Sequence, residues 1–138
     1  MAMVKALALP RAGFNPDLGL PNLQSHWHDA SVNVAELENY FETLSIKPTD
    51  YLPIAYPHVM AGAMHMNMLA NKAFPIRLLG ALHLKNRIVQ HRLITRIELV
   101  DIDAKVGDYR LVDKGVEFDF VTTVSAQGEL VWHEISTY

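Results

Sequence analysis

Hydrophobic and polar positions alternate along much of the second half of the chain, a pattern typical of β-strands with one buried face. Residues 79–91 show it most clearly. The apolar face of this segment holds Leu82, Leu84 and Ile88. The opposite, basic face holds His83, Lys85, Arg87 and His91. Over the whole half, the alternation and the turn residues between runs predict strands at 80–91, 94–102, 108–112, 115–125 and 129–138.

Two segments before these strands have helical periodicity instead. Apolar residues recur at spacings of three and four over residues 34–44, which predicts an amphipathic helix capped by Asp29 or Ser31. The second segment begins at Pro57 and continues to about residue 71. Its alanines and methionines lie on nearly all sides, so we expect this helix to be buried.

The order of these elements predicts an α+β fold, in which helices cover one side of an antiparallel sheet. Residues 1–25 contain several prolines and glycines, and we expect an extended arm there. We divide the chain into residues 1–50, an arm and helix that pack on the domain, and residues 51–138, the main domain. A length of 138 residues suits one domain of this kind.

The composition narrows the classes of function. The chain has no cysteine, which excludes disulfides, thiolate metal sites and a cysteine nucleophile, and we expect a cytoplasmic protein. The formal charge of −3 argues against nucleic-acid binding. No apolar run approaches the ~20 residues that span a bilayer, and residues 1–9 are too short for a signal peptide. We therefore expect neither a nucleic-acid partner nor a membrane partner.

Four segments together resemble the MaoC-like acyl dehydratase family in their order and spacing. They are Leu-Pro-Ile-Ala-Tyr-Pro-His-Val at 52–59, Phe-Pro at 74–75, Leu-Gly-Ala-Leu-His-Leu-Lys-Asn-Arg-Ile at 79–88 and Gly-Glu-Leu-Val-Trp at 128–132. The resemblance covers about residues 50–138. It implies a hotdog fold, an antiparallel sheet wrapped around a long central helix, that dimerises. It also implies a role in fatty acid metabolism, with a thioester of coenzyme A or acyl carrier protein as substrate and no separate cofactor.

The catalytic motif of the family is missing from this chain. Active members carry an Asp-x-Asn-x-x-His motif near the start of the hotdog helix, where Asp and His act on the water that adds to an enoyl thioester. No Asp or Asn lies between Asp50 and Asn67. Longer members hold two hotdog units, with the motif in the second only. This chain resembles the first unit, which shapes the acyl pocket.

His58 is the candidate catalytic residue. It stands at the predicted start of the buried helix, where free backbone N–H groups can bind a thioester oxygen. His65 follows on the same helix face, about 10.5 Å along the axis. This distance is too long for one shared metal ion, so no metal site is predicted here.

The candidate substrate-binding residues come from the helix and from the basic strand face. Tyr56, Met60 and Met64 are expected to line the acyl site, since methionines form adaptable apolar walls. Lys85 and Arg87 are expected to hold the phosphates of coenzyme A or an acidic carrier protein.

Two further groups of polar residues occur in the sequence. The odd spacing of His83 and Asn86 places them on opposite faces of a strand, which argues against a joint role. His26 and His28 have the spacing with which a strand chelates a metal ion, but no matching distal cluster is evident in the sequence. We therefore expect Trp27 between them to be a structural anchor.

Three functions remain open. The first is an acyl-thioester-binding hotdog protein with weak or absent (R)-specific enoyl thioester hydratase activity, acting as a homodimer or with a motif-bearing hotdog subunit. The second is an acyl-CoA thioesterase. This would need a carboxylate from Asp50, the later strands or a dimer partner, because residues 51–97 contain none. The third is a non-catalytic interaction subunit.

Overall fold

A computed structural model describes residues 13–77 and 79–138 of the chain. In chain order its elements are β1 (Gln24–Ala30), α1 (Val34–Thr43), α2 (Tyr56–Ala70), β2 (Lys85–Gln90), β3 (Val100–Val112), β4 (Gly115–Ala126) and β5 (Glu129–Thr137). The five strands form one sheet in the order β1-β3-β4-β5-β2, and every pairing is antiparallel. The predicted α+β hotdog fold is confirmed.

The core lies between α2 and the face of the sheet that it covers. α2 contacts β1, β3 and β4. Its Met64, Met68 and Leu69 are buried against inward-facing residues of the sheet. Those residues include Phe118, Phe120, Val124 and Trp132. The helix begins and ends within one residue of the prediction, because a segment apolar on nearly all sides can only be satisfied in the interior.

The N-terminal part of the chain differs from the prediction. β1 is an edge strand of the sheet, where we expected an arm followed by a helix cap. Asp29 lies inside β1, and the cap of α1 is Asn33, whose side-chain oxygen accepts a hydrogen bond from the Glu36 N–H. The sheet thus contains strands from both sides of residue 50. The division of the chain at that residue stays a prediction. Most of the expected arm, residues 1–12, lies outside the described part of the chain.

Three strand predictions need correction. The segment 94–102 does not form a strand until Val100, and from there β3 continues to Val112 where we expected two separate strands. A bulge between Val106 and Tyr109 interrupts the ladder without ending it. Similarly, β2 starts at Lys85 and not at residue 80: Gly80 lies in a turn with a positive φ of 100°, and residues 81–84 have no regular structure. No helix among the described residues is long and apolar enough to cross a membrane.

Candidate functional site

A buried carboxylate from β5 meets the first turn of α2. Strand alternation directs Trp132, Glu134 and Ser136 toward the helix. Nδ1 of His58 lies 2.9 Å from both carboxylate oxygens of Glu134. The Glu134 side chain is 0% exposed, whereas that of His58 is 27% exposed. The two residues therefore form a dyad in which the carboxylate is sealed and the imidazole is accessible.

Asn86 of β2 completes the hydrogen bonding of this carboxylate. Its Nδ2 donates to Oε2 of Glu134 at 2.7 Å and lies 3.4 Å from Nδ1 of His58. Burial raises the pKa of Glu134, but the hydrogen bonds from His58 and Asn86 outweigh it and hold the pKa below its usual value. The same hydrogen bond to Glu134 raises the pKa of His58, against the opposing effect of burial. The dyad is thus an ionised carboxylate paired with a basic imidazole.

His65 lies beneath the dyad and is held neutral. Its Nε2 is 2.8 Å from Oγ1 of Thr122, and burial lowers its pKa to about 4. The prediction that His58 and His65 lie too far apart to share an ion is wrong, because their side chains converge and the ring centroids are 5.7 Å apart. Ligand atoms of these two histidines and Glu134 lie within 4.8 Å of one another. Since His65 and Glu134 are fully buried and already hydrogen-bonded, with no exposed path through the described residues for an ion to reach them, we interpret the set as a hydrogen-bond network.

His83 also contacts the dyad, which corrects the argument that separated it from Asn86. Strand alternation does not govern residue 83, because it lies in the irregular segment before β2. Its ring stacks on His58 at 5.5 Å and on Tyr138 at 4.8 Å between centroids. His83 and Asn86 therefore both reach His58, from different sides.

An open pocket of about 680 Å³ lies next to this stack. It opens between residues 76–77 and 79–84 on one side and the turn that joins β3 to β4 on the other, and Tyr138 forms part of its wall. The wall is mostly apolar and includes Leu79, Leu82, Leu84, Val116 and Phe118. The charged residues in the wall are two cations, Arg77 and Lys114, and two acids, Asp113 and Glu117. A long apolar group with a polar end would match this lining.

The predicted substrate-binding residues lie elsewhere. Tyr56 is 2% exposed and packs edge-on against Tyr40, and Met64 is buried in the core. Met60 packs against that core from its margin. None of the three lines the 680 Å³ pocket.

The two basic residues of β2 are exposed. Lys85 and Arg87 lie on the face of β2 opposite Asn86, by strand alternation. The binding roles proposed for them and for the helix residues stay predictions.

Glu134 is the functional candidate that the sequence interpretation missed. Glu134 is two residues from Trp132 in β5, so the two side chains point to the same face of the strand. If that face is buried, the acid must lie in the core. Buried acids are rare unless paired, and such a residue signals a polar network. Which partners it meets depends on the pairing of β5 with β2 and on the position of α2, and neither is visible in the sequence.

No protein-family model matches the chain. A curated relative, 3-hydroxyacyl-thioester dehydratase X of Mycobacterium tuberculosis, is 25% identical over 119 residues, which cover 86% of this chain and 42% of the relative. The crystal structure of HtdX from the same organism has a TM-score of 0.79 at 23% identity, covering 83% of this chain and 49% of that one. The truncated HadBC complex, a (3R)-hydroxyacyl-ACP dehydratase of M. tuberculosis, has a TM-score of 0.70 at 10% identity, covering 86% of this chain and 95% of that one.

These similarities confirm the resemblance to the MaoC-like hotdog dehydratases. The chain spans about half the length of the curated relative and of the HtdX structure that it matches.

Proposed function

We propose that the chain is a hotdog unit that binds acyl thioesters and serves hydration or dehydration at their second and third carbons. The observation that carries the proposal is the open apolar pocket of about 680 Å³ beside the His83–Tyr138 stack. The relationship to a 3-hydroxyacyl-thioester dehydratase supports this class of substrate. The missing Asp-x-Asn-x-x-His motif favours binding without strong catalysis, as in the first unit of longer family members.

The pocket has the size and chemistry that a thioester needs. Sites for small ligands commonly enclose about 300–1,000 Å³ and are mainly apolar with a few polar groups. The leucines at 79, 82 and 84 offer an apolar wall for an acyl chain. The guanidinium of Arg77 and the ammonium of Lys114 can pair with phosphates of coenzyme A or of a phosphopantetheine arm. Coenzyme A is thus a part of the substrate and not a separate cofactor. The alternative substrate is an acyl group carried by an acyl carrier protein.

Calorimetric titration tests this binding. Octanoyl-CoA should bind the wild-type protein, and free coenzyme A should bind more weakly because it lacks the acyl chain. Leu82→Asp, which places a charge in the pocket wall, should weaken octanoyl-CoA binding at least about tenfold. Leu18→Asp is the matched control, since Leu18 is 82% exposed and does not line the pocket. Equal loss in both variants, or no binding at all, would contradict the proposal.

A second candidate function is hydration of enoyl thioesters by this chain itself. The observation that favours it is the dyad of His58 and Glu134. With Glu134 holding the Nδ1–H of His58, Nε2 can take a proton from water as the hydroxyl adds to the third carbon of the enoyl group. The second carbon then accepts a proton, which completes the hydration without a further reactant. The thioesterase alternative would use the same dyad to direct water at the thioester carbonyl.

The loss of enoyl absorbance on incubation with crotonyl-CoA tests this second candidate. Turnover that disappears in both His58→Gln and Glu134→Gln, and persists in His91→Gln, would assign catalysis to the dyad. Release of free thiol without loss of the enoyl group would indicate a thioesterase instead. Absence of both reactions would leave the chain as a binding unit.

The expected partner is a second hotdog subunit, either another copy or one that bears the motif. Leu93, Ile97 and Leu99 are 53%, 91% and 54% exposed within one short segment, and such residues are common where a partner binds. The HadBC structure is itself a complex. Light scattering on the purified protein, alone and after coexpression with a motif-bearing hotdog protein, separates the two arrangements. A cytoplasmic location remains our expectation.

A further inference from the structure

We propose that His26, His28 and Asp101 form a binding site for a divalent transition-metal ion, and that their donor set suits Zn²⁺. These residues lie where the edge strand β1 pairs with β3, apart from the His58–Glu134 dyad and from the residues that line the 680 Å³ pocket. The sequence supplies the two histidines with chelating spacing. The structure adds the acid that the sequence could not connect to them.

The histidines are presented together by β1. They are two positions apart, so both side chains leave the same face of the strand, while Trp27 between them points the other way. Their rings stack with centroids 5.9 Å apart and an interplanar angle of 21°. Two imidazoles held parallel in this way need little reorganisation to point at one ion.

A bulge in β1 brings the acid into place. The register pairs Trp27 with Ile102 but Ala30 with Val100, so β1 carries an extra residue between these pairs. Asp29 occupies the bulge with a φ of 49°, and its N–H donates to Oδ1 of Asp101 at 2.9 Å. The same oxygen lies 2.6 Å from Nδ1 of His28.

The hydrogen bond from the Asp29 N–H also fixes the orientation of the Asp101 carboxylate. The bulge thus supplies an oriented carboxylate beside two imidazoles.

The donor atoms can close around one ion. One donor atom from each of His26, His28 and Asp101 lies within 4.8 Å of the others. Tetrahedral zinc with bonds of about 2.0–2.1 Å separates its ligand atoms by about 3.3 Å, so small side-chain rotations are needed. The side chains are 53%, 68% and 34% exposed, and they are therefore free to make these rotations.

Asp103 supports the site from outside the ligand set. Its Oδ1 lies 2.5 Å from Nδ1 of His26, because the register places these residues opposite each other. A carboxylate on one ring nitrogen fixes the tautomer and leaves the other nitrogen, Nε2, to bind metal. The three protein ligands then leave a fourth position for water or another donor.

Zinc titration of the protein without an affinity tag tests the site. We expect one ion per chain by calorimetry at pH 7.5, with chemical shift changes in the ring signals of His26 and His28. His28→Ala and Asp101→Asn should each weaken binding at least about tenfold. His91→Ala is the matched control, because His91 belongs to another histidine pair, with Nε2 of His91 3.2 Å from Nδ1 of His133. This variant should bind zinc as the wild type does.

Fluorescence gives a second readout that does not depend on calorimetry. Trp27 is 40% exposed and lies between the two ligands, whereas Trp132 is fully buried. Cu²⁺ should quench the exposed tryptophan emission of the wild type and of His91→Ala, but not that of His28→Ala. Two outcomes of the titration would overturn the proposal directly: no saturable binding, or equal affinity in wild type and His28→Ala. Loss of binding in His91→Ala or His58→Gln, with binding kept in His28→Ala, would overturn it as well. Circular dichroism of each variant distinguishes loss of a ligand from loss of the fold.

Discussion

Glu134→Gln is the most informative perturbation of the His58–Glu134 dyad. The substitution keeps the shape of the side chain and removes its charge. The carboxylate accepts hydrogen bonds from His58 and Asn86 at 2.9 and 2.7 Å and is completely buried. A glutamine amide offers one oxygen and one NH₂ group, so it cannot accept from both donors in the same way.

The magnitude follows from these contacts. A hydrogen bond to a charged group contributes about 1.5–3 kcal/mol, and the variant loses the charged character of the network. We expect the free energy of unfolding to fall by about 2 kcal/mol. For a chain of 138 residues this corresponds to a Tm lower by about 7 °C. The pKa of His58 should also fall, because the hydrogen bond that raises it is lost and the opposing effect of burial remains.

Thermal denaturation followed by circular dichroism measures the stability change, and NMR titration of the imidazole ring measures the pKa of His58. Glu129→Gln is the matched control, since Glu129 is an exposed acid at the other end of β5. It should change Tm by less than about 2 °C. A Glu134→Gln protein that melts with the wild type, or whose His58 pKa is unchanged, would refute the assignment of the dyad.

Three further predictions concern the same core. The pKa of His65, about 4 in the folded state and 6.5 in the unfolded chain, means that the unfolded chain binds the proton first as pH falls. Between pH 7 and pH 4 the wild type should therefore lose about 3 kcal/mol relative to His65→Gln in denaturant titrations, and parallel pH curves would contradict this. Asn86→Ala removes one donor to Glu134 and should cost about 1–2 kcal/mol, while raising the pKa of Glu134 as seen by carboxylate NMR. Trp132→Phe loses the hydrogen bond from Nε1–H to the Ile54 carbonyl at 2.8 Å together with packing volume. The free energy of unfolding, measured by chemical denaturation, should fall by about 2–3 kcal/mol, and a fall of under about 1 kcal/mol would contradict the buried contact.

The sequence predicts those elements whose burial is uniform. α2 is apolar on nearly all sides, so its burial in the core follows from composition alone. β1 escaped prediction because an edge strand is half exposed and its residues, such as His26 and His28, are polar on the outward face. Edge strands of this kind lack the alternation that marks a buried face.

The site was harder to predict because its members come from three elements. His58 was identified from its place at a helix start, but Glu134 reaches it only through the position of β5 beside α2. Regular strand geometry would separate His83 from Asn86, but residue 83 lies in the irregular segment before Lys85, where that geometry does not apply. Side-chain convergence across elements is a tertiary property, and residue spacing does not determine it.

The central claim is that the pocket beside the His83–Tyr138 stack holds an acyl thioester. Native mass spectrometry of the purified protein with octanoyl-CoA and with free coenzyme A tests it most directly. The account predicts a mass increase of one octanoyl-CoA per hotdog unit, at concentrations where free coenzyme A gives a much smaller bound fraction, and loss of this complex in Leu82→Asp. Equal occupancy by the two ligands, or an octanoyl-CoA complex that Leu82→Asp leaves intact, would contradict it.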